Sequence, residues 1–147
     1  MSKEPYKLGL IKENPFREKK EILGEILAVL DLTLEERGML LIDPISRALQ
    51  KNSICELAIT DDDTTGPGQL VNNVGYIGFF EVKTGGVALV GDTVSIREKW
   101  IGRLVGFDTT HAPNHLNLVV KSKKVTTGEQ LKLLIGDPVT IKSEIFQ

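Results

Sequence analysis

From Ser53 onward the chain is divided into short apolar stretches at steady intervals, each bounded by Gly, Pro, Asp or Asn. In Ser53 to Thr60, Cys55, Leu57 and Ile59 alternate with Ile54, Glu56, Ala58 and Thr60, the period of two that sends successive side chains to opposite faces of a strand. Further strands are expected at Val74 to Val82, Val87 to Val90, Thr93 to Ile96, Trp100 to Phe107, Leu116 to Lys121, Leu131 to Ile135 and Val139 to Ile141. Strands this short and this evenly spaced form an antiparallel sheet that curls on itself. The expected fold class is therefore mainly β, a small antiparallel β-barrel of about six strands. Aromatic residues are only 5% of the chain, which leaves Val, Ile and Leu to fill the interior and favours packed strands.

The 147 residues match one core, and the expected organisation is an N-terminal arm or edge strand over 1–20 followed by a single barrel domain over 21–147. The run from Glu21 to Leu34 fits both a helical stripe and a strand, and Gly24 tips it to a strand. Met39 to Ile42 reads as another short strand. Asp43-Pro44 offers a cap and a first-turn proline, so one short helix is expected from Pro44 to Gln50. Two hexamers share the form G-D-x-V-x-I, Gly91 to Ile96 and Gly136 to Ile141. Each reads as a tight Gly-Asp corner followed by a strand whose Val and Ile point inward. Pro138, which lacks a backbone donor, suggests an edge position for the second copy.

A net charge of −2, with acidic and basic residues interleaved as in Arg17-Glu18-Lys19-Lys20-Glu21, gives no one-signed basic face, so no nucleic-acid partner is expected. Charged residues interrupt every apolar stretch near the N-terminus, and no apolar run approaches a membrane span. The expected location is cytoplasmic, with no membrane partner. The single Cys55 excludes an intrachain disulfide and reads as a small core residue. Asp61 to Asp63 lack the spacing of a calcium loop, and Gly66-Pro67-Gly68 and Gly85-Gly86 read as turns rather than phosphate cradles.

One stretch concentrates chemistry. Gly106 to Asn117 carries both histidines, His111 and His115, together with Asp108, Asn114 and Asn117. Pro113 between the histidines argues against a helix that would place both rings on one face, so any site must be built by the loop itself. Three readings stay open. His111, Asn114, His115 and Asn117 could bind a small polar or anionic ligand, with Asp108 orienting a histidine and Arg103, on the entering strand, supplying a positive charge. Asp108, His111 and His115 could instead ligate a divalent metal in a metal-assisted enzyme, the one cofactor considered. Or the polar groups satisfy the backbone of a long connection while the histidines cap a barrel end. Separately, the run Tyr76-Ile77-Gly78-Phe79-Phe80 carries enough apolar surface to suggest a self-associating module, a homo-oligomer joined through an exposed strand edge.

Three segments, Glu35 to Leu41, Gly75 to Val82 and above all the G-F-D-x-T-H-x-P-N-H-L-N run ending at Asn117, resemble a small prokaryotic family of unknown function. The resemblance covers about residues 22 to 141; it implies one domain and carries no activity. The order of strands, Gly-Asp turns and a polar loop is also similar to the barrel of the sugar-phosphotransferase IIA component for glucitol. No His-x-His-Gly context precedes the barrel strands here, so that likeness bears on fold and not on phosphotransfer.

Overall fold

The computed structural model describes residues 19–144, and the expected arm lies almost wholly outside them. Seven strands close into a barrel: β1 (Ile22–Leu34), β4 (Ile54–Thr60), β6 (Val74–Thr84), β8 (Thr93–Ile96), β9 (Lys99–Asp108), β10 (Leu116–Lys121) and β11 (Pro138–Lys142). Around the barrel they run β1-β11-β8-β9-β10-β4-β6 and return to β1. Two short ribbons flank it, β2 (Met39–Leu40) with β5 (Leu70–Val71), and β3 (Ser46–Leu49) with β7 (Gly86–Leu89).

The mainly β barrel agrees with the sequence, and four details correct it. Antiparallel pairing fails at one seam, where β10 runs parallel to β4. Directions cannot alternate all the way round a closed ring of seven strands, so at least one neighbouring pair must be parallel. The expected helix at Pro44 to Gln50 is replaced by β3, whose backbone pairs with β7 from Ser46↔Leu89 to Leu49↔Gly86. A helix that short is marginal alone, and the waiting strand partner outweighs the cap signature. Leu131 to Ile135 is a series of turns: Lys132 sits at φ 58°, and the amides of Leu131 and Leu133 donate to the carbonyls of Thr127 and Gly128. Pro138 is not at an edge, because β11 lies between β1 and β8; it opens that strand, where a missing donor is tolerated.

The two Gly-Asp corners are built alike. Gly91 and Gly136 adopt φ of 102° and 94°, a region open to glycine. The next aspartate folds back so that its Oδ2 accepts the amide three residues earlier, Leu89 for Asp92 at 2.9 Å and Leu134 for Asp137 at 2.7 Å. Each carboxylate also meets a cation, Lys19 Nζ at 2.7 Å and Arg97 Nε at 3.4 Å. Val94, Ile96, Val139 and Ile141 then enter the barrel core, as their alternation requires.

That core holds Cys55, Leu57 and Ile59 of β4 beside Leu118 and Val120 of β10. Burial pushes the Cys55 thiol up to about 12, so it stays protonated and inert. Glu56, Ala58 and Thr60 of β4 and Asn117 and Val119 of β10 face outward, yet are also buried. Ala58, Val119, Val74 and Tyr76 form a second apolar cluster with Met39, Leu41 and Val71 beneath the β2–β5 ribbon. Gly106 makes this seat possible, since a Cβ there would lie 2.7 Å from Leu41 Cδ1. Tyr76, Ile77 and Phe80 are covered and Phe79 is half-buried, and β6, which carries them, lies between β1 and β4. No helix among the described residues is long and apolar enough to cross a membrane.

Candidate functional site

Strand register sets out the site. Across the outer surface of four adjacent strands, Phe79 of β6 pairs with Glu56 of β4, Glu56 with Asn117 of β10, and Asn117 with Asp108 of β9. They form one transverse row, adjoining the row of Tyr76, Ala58 and Val119 under the ribbon. The connection from Thr109 to His115 folds back over it. His115 meets Phe79 edge-on, ring centroids 5.0 Å apart at 87°, and His111 stacks on His115 at 5.0 Å and 24°.

Asp108 anchors this connection. Its Oδ1 accepts both the backbone amide of Thr110, at 3.1 Å, and the Thr110 hydroxyl, while Oδ2 accepts Asn117 Nδ2 at 2.9 Å. Such side-chain bonding two residues ahead is how aspartate stabilises a turn. The hydrogen bonds of Asp108 hold the loop, and its charge acts on the His115 imidazole. Among the described residues no three His, Cys, Asp or Glu side chains gather to hold a metal ion, and the Asp108, His111 and His115 trio is not drawn together as ligands.

Two buried polar atoms in the same place have no partner: Asn117 Oδ1 and His115 Nε2. Since Asp108 offers only acceptors, the Asn117 amide must turn its NH2 that way, which leaves the oxygen unmatched. Glu56, 9% exposed, completes the floor. Burial raises its carboxyl above the ordinary range, His111 and then Arg37 oppose the shift, and Asp108 adds to it. Burial also holds the His115 imidazole below its usual value, with His111 reinforcing and Asp108 opposing. Arg37 Nε donates to Tyr76 Oη at 2.8 Å and so stands at the border between the apolar and polar rows.

Clefts open on both sides of the connection. One, of about 520 Å³, lies between it and the β3–β4 turn and is lined by Arg47, Asn52, Ser53, Asn114 and His115. The other, of about 530 Å³, lies between Asp108 to Thr110 and the segment from Leu40 to Pro44. Thus His111, Asn114, His115, Asn117 and Asp108 share one neighbourhood. Arg103 does not join them: five positions back along β9, roughly 16 Å away at strand rise, it is exposed and pairs with Glu144.

Glu56, Phe79 and Arg37 belong to the site although the loop motif does not contain them. The alternation of β4 assigns Glu56 to an outward and hence solvated position. A weak sign of cover was present in the outward residues that follow, Ala58 and Thr60 on β4 and Val119 on β10, which are too small or apolar for a free surface.

No curated protein and no solved structure matches the chain. The model of a family of unknown function, DUF6917, matches residues 16–142, and the chain belongs to that family.

Proposed function

We propose that this barrel is a binding domain, holding a small polar ligand between the His111–His115 connection and the row of Glu56 and Asn117. The observation that carries the reading is the pair of buried, unmatched atoms, Asn117 Oδ1 and His115 Nε2. A buried polar group without a partner costs about 1–3 kcal/mol, so a fold retains one where something else completes it. A cleft lined by Asn114 and His115 lies beside the connection, and the stacked imidazoles supply a flat polar wall.

Thermal-shift measurements across a panel of polar metabolites test it, with parent protein and the His111→Ala/His115→Ala double variant side by side. A ligand present at a hundred times its Kd adds about 2.7 kcal/mol of stability, readily seen as a rise in Tm. At least one compound should raise the parent's Tm and leave the double variant unmoved. The reading is lost if no compound does so, or if the shift survives both substitutions.

A further inference from the structure

The balance of donors and acceptors in the row deepens that reading by naming the ligand's chemistry, and it rests on there being a ligand at this site. Several donors are already engaged: Asn117 Nδ2 and both Thr110 donors bind Asp108, and Arg37 Nε binds Tyr76 Oη at the border with the apolar row. The buried floor of the row itself presents acceptors. Asn117 Oδ1 is unpartnered on a side chain only 1% exposed, the carboxylate of Glu56 accepts no hydrogen bond among the described residues, and His115 Nε2 accepts when the proton sits on Nδ1.

Charge points the same way. The two carboxylates, Glu56 and Asp108, are buried, whereas the positive groups beside Glu56, His111 and Arg37, are exposed and half-buried. A phosphate or carboxylate arriving here would add charge of the same sign and bring acceptors to acceptors. An ammonium brings three donors and one positive charge. Among the described residues no three His, Cys, Asp or Glu side chains are placed to hold a metal ion.

We propose that the site takes the protonated amine end of a small molecule, with Glu56 as its counter-ion and Asn117 Oδ1 and His115 Nε2 as its hydrogen-bond acceptors. The neutral remainder of such a molecule would extend past His115 into the cleft lined by Asn52, Ser53 and Asn114.

Amide and imidazole NMR of the full chain tests this with four probes at millimolar concentration: ethanolamine, putrescine, acetate and inorganic phosphate. An amine should displace the Asn117 side-chain amide and His115 ring signals, and Glu56→Gln, nearly the same shape without the charge, should bind it about tenfold more weakly or worse. Displacement of those signals by acetate or phosphate and not by an amine overturns the amine assignment while leaving a binding site in place. If none of the four moves them, the amine assignment falls; should the metabolite panel also fail, the binding reading falls with it. Equal amine affinity in Glu56→Gln removes Glu56 as counter-ion, and the comparison of probes on the parent protein decides the rest even if that variant does not fold.

Discussion

Two neighbouring rows on the outside of the same four strands have opposite chemistry. Tyr76, Ala58 and Val119 lie dry beneath the β2–β5 ribbon, where Met39, Leu41 and Val71 close over them. One row away, Phe79, Glu56, Asn117 and Asp108 lie beneath a connection rich in histidine, and two of the polar atoms there are unmatched. Both rows are covered, so cover alone does not explain the difference. The apolar row completes the fold. The polar row carries groups that the fold leaves incomplete, and the border between them is the bond from Arg37 to Tyr76.

The contrast breaks first where the fold depends on it. Leu41→Ala removes the side chain that seats against Gly106 and should cost about 3 kcal/mol in urea unfolding; a change below about 1 kcal/mol would mean that the ribbon contributes little. Asp108→Ala should come next, at about 2 kcal/mol, because three hydrogen bonds to a buried carboxylate go at once. Its signature should be confined to the polar side, with the His111–His115 stack lost in NMR spectra and the barrel resonances kept.

Acid titration sharpens the comparison further. The His115 imidazole is held below its ordinary value of 6.5, so below that pH the unfolded chain takes up a proton that the folded protein refuses. Its contribution is full above 6.5 and is lost as pH falls toward the depressed folded value. Glu56 has the opposite sign. With its folded pKa raised above 4.5, it subtracts stability as pH rises from there and restores it on acidification. Urea midpoints measured through the acid range should therefore fall less steeply in His115→Phe than in the parent. In Glu56→Gln they should fall more steeply. The smallest effect belongs to Arg103→Ala, within about 0.5 kcal/mol for an exposed ion pair and without change in the loop signals.

The barrel strands were legible because their period of two survives burial of one face, and the Gly-Asp corners because a positive φ and a capping carboxylate are both local. Pro44 to Gln50 carries the local signature of a helix start, whereas its strand partner, Gly86 to Leu89, lies far along the chain and leaves no mark on the local sequence. The site divides in the same way. Asp108, His111, His115 and Asn117 were visible as one polar run, whereas Glu56 and Phe79 reach it through register across β4 and β6. The parallel seam that sets Glu56 beside Asn117 depends on which two strands close the ring, which no single segment can display.

The unfolding free energy of Glu56→Leu in urea at neutral pH addresses the polar row most directly. If that carboxylate is kept for a ligand, leucine in its place exchanges a poorly matched buried charge for contact with Phe79, and the variant should equal or exceed the parent in stability. A loss of about 2 kcal/mol or more would make Glu56 a structural residue and contradict the distinction between the two rows.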